Sequence, residues 1–281
     1  MLKVAAVQME ITEDRSKNLK RAASLVRSAA QSGASLVCLP EYFVTDCPER
    51  GMSPRDMEGL AETIPGPSTA HLAEVAAAEH VYVAAGTIIE QGEDGLLHNT
   101  CALLGPDGAV IGTYSKTHPE DASPKAEKEC GIVPGDRFPV FETSLGKVAI
   151  LIDMDIVAPE VSRILGITGA EIVCLPLNWS ARWFNVIDLL PAAHALMNKF
   201  YLVVSNRVGV RTSPHGTFVY HGGSRVVSPE GITVGRADDY REGWITSPVD
   251  LDFLHQWRDE VIPRDYPYRR RPEAYSRLTE A

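Results

Sequence analysis

The chain reads as an α/β protein made of two similar layers of strands and helices packed face to face. Three observations predict this. Between residues 148 and 206 apolar, β-branched runs alternate with helical spacings, and successive strand-helix-strand units imply parallel pairing. The N-terminal half shows a comparable order of strands and helices without a visible sequence repeat. The 281 residues, 44% of them hydrophobic, supply apolar surface for one large core, so residues 1–262 are expected to form a single domain and 263–281 a basic tail.

Residues 4–9 read as a buried strand. Residues 18–33 read as an amphipathic helix with Leu19, Ala22, Ala23, Val26, Ala29 and Ala30 on one face and Gly33 as its stop. A strand at 35–39 then runs into Pro40-Glu41-Tyr42-Phe43, setting a carboxylate where a buried strand delivers its C-terminal end. A glutamate alone at such a place is most simply a surface residue, but apolar neighbours on both sides weigh against that. Leu72, Val75 and Ala76 mark a helix over 67–79, and 81–88 is a strand interrupted by Gly86. Runs at 96–104 and 109–114, joined by Gly105-Pro106-Asp107-Gly108, form a hairpin ending in Tyr114-Ser115-Lys116-Thr117-His118. A lysine at such a place is more often a solvated surface charge and a histidine more often a loop residue, but on local evidence a functional reading of Lys116 and His118 stays open. Residues 119–136, punctuated by proline and glycine, form a long loop of the kind that often carries function.

Runs at 138–143 and 148–152 pair next, and residues 153–158 make a strand-to-helix turn before Pro159, where α/β sheets present reacting groups. A strand at 171–176, a helix from about 183 to 198 and a strand at 200–206 follow. The C-terminal third is β-rich, with strands at 216–220, 223–227, 231–235 and 244–249, then a short helix at 252–260.

A net charge of −10 and an isoelectric point near 5.3 argue against nucleic acid or an anionic membrane as the main partner and favour a small-molecule substrate. No apolar run is long enough for a membrane span, so a cytoplasmic protein is expected. Cysteines at 38, 47, 101, 130 and 174 include no Cys-x-x-Cys pair, which predicts reduced thiols rather than a disulfide framework or a zinc site. In the tail, Arg264, Arg269, Arg270, Arg271 and Arg277 interleave with Tyr266, Tyr268 and Tyr275, which predicts a segment clamped onto its own domain or a partner subunit.

Several strings taken in order resemble the nitrilase superfamily of carbon-nitrogen hydrolases along the whole chain. They are the N-terminal Val-Ala-Ala-Val-Gln-Met with Asn18 downstream, Leu39-Pro40-Glu41-Tyr42, Tyr114-Ser115-Lys116-Thr117-His118, the run from Gly169 to Pro176 with Asn178-Trp179, Gly223-Ser224, and Arg270-Arg271-Pro272-Glu273-Ala274-Tyr275. The resemblance implies a four-layer αββα sandwich of two mixed sheets with helices outside. It makes Glu41 the general base, Lys116 the oxyanion-stabilising lysine and Glu127 the second site glutamate, with Glu129 nearly as good a match. Tyr42, His118, Met154, Asn178 and Trp179 would line the substrate, with no cofactor and no metal. It also implies pairing through the helices after the turn, where Val161, Ile164, Leu189 and Leu190 are expected to be exposed, giving a homodimer or higher homo-oligomer.

One position departs from the pattern. The family turn carries a nucleophilic cysteine, whereas Ile152-Asp153-Met154-Asp155 puts Asp153 there, with Asp155 matching the family aspartate and Pro159-Glu160 the helix start. Carboxylate attack on an amide gives an anhydride, far higher in energy than a thioester, although a carboxylate also acts as a base on water. The readings are therefore a hydrolase or repurposed relative acting on a small amide, N-carbamoyl or related compound through Glu41, Lys116 and Asp153, or a non-catalytic or deliberately inactivated member that binds a small ligand. An oxygen-ligated metal at Glu41, Glu127 and Asp153 is opposed by the positive charge of Lys116.

Overall fold

The computed structural model describes residues 2–121, 125–261 and 270–278. Along the first half lie β1 (Leu2–Glu10), α1 (Arg15–Gln31), β2 (Leu36–Cys38), α2 (Pro54–Glu58), α3 (Pro67–Glu79), β3 (Tyr82–Ala84), β4 (Ile88–Gln91), β5 (Leu97–Leu104) and β6 (Val110–Ser115). Then come β7 (Val140–Thr143), β8 (Gly146–Ile150), α4 (Pro159–Thr168), β9 (Ile172–Pro176), α5 (Phe184–Asn198) and β10 (Tyr201–Ser205). The chain continues through β11 (Arg207–Ser213), β12 (Gly216–His221), β13 (Arg225–Val227), β14 (Thr233–Arg236), β15 (Gly243–Val249) and α6 (Leu251–Gln256).

Two mixed sheets result. Strands β12-β11-β1-β2-β3-β5-β4, with β15 also on β1 and β6 on β5, form one; β14-β13-β10-β9-β8-β7 form the other. The predicted parallel pairing holds among β8, β9 and β10 and among β1, β2 and β3. Side chains alternate across a strand, so β1 turns Val4 and Ala6 to the space between the sheets and Ala5, Val7 and Met9 to the helices. Both faces are buried, which is why these strands read as unbroken apolar runs. Helices α1 and α3 cover the outer face of the first sheet, and α4 and α5 that of the second, completing the αββα sandwich.

Element ends follow local chemistry. Helix α1 starts at Arg15, earlier than predicted, because the Asp14 carboxylate accepts the Lys17 N–H at 3.0 Å. The expected strand at 81–88 is two strands, broken where Gly86 adopts φ +55° close against the Pro40 carbonyl. Strand β11 and the short helix α2 were not anticipated. Val161, expected on an exposed face, is instead 2% exposed in the core beneath α4. The five cysteines are buried and free. Of the tail, Arg264, Arg269, Tyr266 and Tyr268 lie outside the described residues, while Arg270, Arg271 and Arg277 are exposed. No helix among the described residues is long and apolar enough to cross a membrane.

Candidate active site

Three strand ends converge. Glu41 leaves β2, and its N–H donates to the Leu177 carbonyl beyond β9, tying the two sheets together at 3.2 Å. Lys116 leaves β6 with its N–H donated to Asn99 of β5 at 2.8 Å. Asp153 follows β8 at φ +49°, a left-handed conformation costly for a residue with a side chain and therefore held by its surroundings. Asp155 supplies the hold. Its carboxylate accepts from Ile152 N–H (2.9 Å), Tyr114 Oη (2.7 Å), Thr117 Oγ1 (2.9 Å) and His118 N–H (3.0 Å), fastening the turn to the segment that carries Lys116.

At the centre the Lys116 ammonium donates to Glu41 Oε1 at 2.9 Å, Glu127 Oε2 at 2.8 Å and Asp153 Oδ2 at 2.9 Å, and none of these side chains is exposed. Asn99 Nδ2 bridges Glu41 Oε1 and Glu127 Oε1 at 2.8 Å each, and Tyr42 Oη donates to Glu127 Oε1 at 2.6 Å. Glu127, not Glu129, joins the cluster; Glu129 is exposed against Arg50. Lys125, which the sequence did not single out, places a second ammonium 3.1 Å from Asp153 Oδ2 and 3.2 Å from Glu120 Oε2. Two buried carboxylate oxygens, Glu41 Oε2 and Asp153 Oδ1, have no hydrogen-bond partner among the described residues.

Burial dominates the electrostatics, and charges then sort the groups. Burial, reinforced by Asp153, pushes the Glu41 carboxyl up to about 8, so it carries its proton at neutral pH. Burial alone would raise Asp153 too, but the Lys116 and Lys125 ammonium groups outweigh it and hold that carboxyl well below the ordinary range. Glu127 is likewise depressed by the two lysines against the pull of burial. Burial opposes charge on both lysines, yet Asp153 and the neighbouring glutamates hold them above the usual lysine value. The cluster thus pairs a protonated carboxyl with an ionised one, the division of labour that acid-base chemistry needs. Two ammonium groups lie among these carboxyl groups, and both would oppose a bound cation.

The remaining predicted residues are less central. His118 turns its Nδ1 to Asp155 Oδ1 at 3.1 Å and is half exposed, and Met154 is half-buried beside Asp153. Asn178 is 1% exposed with neither amide atom hydrogen-bonded among the described residues. Trp179 is fixed by Asn206 at both its N–H and C=O and stacks on Trp183 at 5.2 Å. Asn99 and Glu120 were missed with Lys125. Asn99 lies inside a strand, and the other two lie in the long loop, where no spacing marks them.

An αββα sandwich with a glutamate, a lysine and a turn residue meeting at strand ends defines a class of hydrolase. The carbon-nitrogen hydrolase family model matches residues 3–259, and the chain belongs to that family. It is 31% identical over 283 residues to the omega-amidase NIT2 of Xenopus tropicalis, covering 98% of this chain and 96% of that one. A probable nitrilase of Schizosaccharomyces pombe is 32% identical over 279 residues, with 98% and 97% covered. The crystal structure of a carbon-nitrogen hydrolase from Helicobacter pylori G27 superposes with a TM-score of 0.89 at 26% identity, covering 99% of this chain and 98% of that one.

Proposed function

We propose that the site cleaves the carbon-nitrogen bond of a small amide, N-carbamoyl or related compound, with Asp153 standing where the family has its nucleophilic cysteine. The observation that carries this reading is the pair of buried, unbonded oxygens, Glu41 Oε2 and Asp153 Oδ1, beside the Lys116 ammonium. Buried polar atoms are normally satisfied, so these two oxygens are the places in the cluster where a substrate's polar groups would bond. Because an anhydride is costly, water is the better nucleophile. Asp153 takes a proton from water as its oxygen bonds to the carbonyl carbon, and the carbonyl oxygen gathers negative charge beside Lys116. On collapse the carbon-nitrogen bond breaks, protonated Glu41 gives its proton to the departing nitrogen, and the proton taken up by Asp153 passes back to Glu41 through solvent, which restores both groups. The products are a carboxylic or carbamic acid and ammonia or an amine.

Ammonia release from a panel of small amides and ureides tests this, with Glu41→Gln and Lys116→Met as controls. Loss in both supports the assignment; unchanged release in either removes that residue from the chemistry. A second reading, ligand binding without turnover, is favoured by the double clamp on Asp153 Oδ2, since two ammonium groups on one oxygen weaken the carboxylate as a base. Mass spectrometry of a co-purified ligand, in protein that releases no ammonia, would decide for it.

For assembly, we propose a homodimer or higher homo-oligomer in the cytoplasm. It is supported by the apolar side chains that α4 and α5 leave in solvent, among them Ile164 at 40% and Leu189 at 68% exposure.

A further inference from the structure

Lys125 and Glu120 form the outer layer of the cluster. Each side chain keeps 10% of its surface in solvent, whereas Glu41, Lys116, Glu127 and Asp153 keep none. The Lys125 main chain is held by a bridge to Glu49, and its stem carries the ammonium inward. There it lies 3.1 Å from Asp153 Oδ2, 3.2 Å from Glu120 Oε2 and 3.7 Å from Glu41 Oε2. The ammonium therefore sits between the two carboxyl groups whose second oxygens are unbonded. Lys125 is an in-chain occupant of the position a ligand would take.

Charge decides what can replace it. Four carboxyl groups, Glu41, Glu120, Glu127 and Asp153, surround two ammonium groups. If Lys125 swings out for a neutral ligand, Lys116 faces the carboxylates without it, and removing one partner of a buried charge cluster is strongly unfavourable. The net gain from a neutral amide's hydrogen bonds is smaller and does not offset that. An anionic ligand deepens the imbalance. A ligand with its own ammonium exchanges one cation for another at little electrostatic cost.

Resting on the amide reading above, we infer that the preferred ligand is a short aliphatic amide carrying a protonated amine. Its ammonium pairs with Glu120 at the mouth, its amide N–H donates to Asp153 Oδ1, the protonated Glu41 Oε2 lies against the amide nitrogen, and Lys125 turns outward. The surroundings fit. Glu49, which bridges to Lys125, also lines a neighbouring groove of about 660 Å³ in which Glu10, Glu13, Asp14, Asp46 and Glu49 outnumber Lys17 and Arg211. Arg207 and Arg211 already pair with Asp46 and Glu49, and Arg21 with Glu10, so the groove adds only a modest acidic excess to attract a cation.

The test compares three molecules of one length, 5-aminopentanamide, pentanamide and 5-amino-5-oxopentanoate, by titration calorimetry at neutral pH. The amino amide is expected to bind at least tenfold tighter than pentanamide, with the anion weakest; equal or reversed affinities overturn the inference. Lys125→Met, lacking the in-chain competitor, is expected to bind the amino amide about tenfold tighter than the parent, while Lys125→Arg gains nothing. If Lys125→Met binds no tighter, the inference is overturned; if it does not fold, the ranking of the three ligands on the parent still decides. Ammonia release is scored separately. Ranked binding without ammonia release overturns the hydrolytic reading alone, and equal release from all three overturns this inference alone.

Discussion

The Lys116 ammonium and the Asp153 carboxylate meet at 2.9 Å with neither side chain exposed to solvent. Two such ions leave water only at a large desolvation penalty, which their mutual attraction offsets when the remaining donors and acceptors are also engaged. Lys116 meets that condition, with the carboxyl oxygens of Glu41, Glu127 and Asp153 accepting its three N–H donors. Asp153 does not, because both lysines converge on Oδ2 and leave Oδ1 without a partner. The asymmetry leaves Asp153 Oδ1 as the oxygen with which this side chain could meet a ligand.

Glu41 sets the pH dependence. Burial raises its carboxyl to about 8, so the form that donates a proton to the leaving nitrogen prevails at neutral pH and is lost as pH rises through that value. Ammonia release is expected to fall on the alkaline side with a midpoint near 8. Stability follows the same proton. Because the folded-state value lies above the ordinary 4.5, the native chain binds the proton more tightly, and Glu41's contribution declines as pH rises from about 4.5 to 8. Chemical denaturation across that range checks it. Glu41→Gln should remove this part of the slope, and a variant with the parent's full slope would show that another group titrates.

Asp155 is expected to matter for stability more than for chemistry. Its carboxylate takes four donors, two of them the backbone N–H groups of Ile152 and His118. Asp155→Ala leaves those donors with no acceptor and frees the left-handed turn at Asp153, so a loss on the order of 3 kcal/mol or more is expected in urea unfolding. A loss under about 0.5 kcal/mol, the range of ordinary surface substitutions, would mean that the turn is held by something else.

How far these features could be read from the sequence depended on where each side chain's energy comes from. Strands β1, β9 and β10 were legible because both of their faces are buried and their sequences are nearly all apolar. Strand β11 was not, since it opens with Arg207 and carries Arg211. Arg207 is nonetheless 1% exposed, its guanidinium bonded to Asp46 and the Ile11 carbonyl and lying 4.1 Å from the Tyr220 ring centroid. Long-range partners made that burial tolerable, and no local pattern announces them. The site divides the same way. Glu41, Lys116 and Asp153 stand at the ends of recognisable strands, but it was the family resemblance that singled them out, since local pattern reads Glu41 and Lys116 most simply as surface charges. Lys125 reaches the centre from a loop whose course depends on its bridge to Glu49, and charge spacing along the chain contains nothing of that.

Assembly is testable on the exposed face of α4 and α5. Leu189 is 68% exposed and Ile164 40%, with Phe184, Leu196 and Met197 also in solvent. In sedimentation at micromolar concentration the parent is expected to behave as a dimer or larger. Leu189→Glu combined with Ile164→Glu should shift it to monomer without unfolding it, because both side chains are already in water and their replacement disturbs no core. A monomeric parent would overturn the expectation.

The fate of Asp153 decides between turnover and binding. Asp153→Asn keeps the shape of the side chain while removing its charge and basicity, and it leaves Lys116 and Lys125 their hydrogen-bond acceptor. If the carboxylate activates water, ammonia release should fall about 10²- to 10⁴-fold, the usual contribution of a positioned base. Asp153→Cys is expected to do the opposite of Asp153→Asn. Its thiol would sit among two ammonium groups that favour the thiolate, and thiolate attack gives a thioester that water resolves, where a carboxylate would give an anhydride. Ammonia release should then rise at least tenfold over the parent. Should the parent be robustly active and both variants silent, the carboxylate is itself the catalytic group and a thiolate cannot serve in its place. Release from Asp153→Asn equal to that of the parent would overturn any chemical role at this position, leaving Glu41 and Lys116 as a binding pair around a ligand that the protein holds but does not cleave.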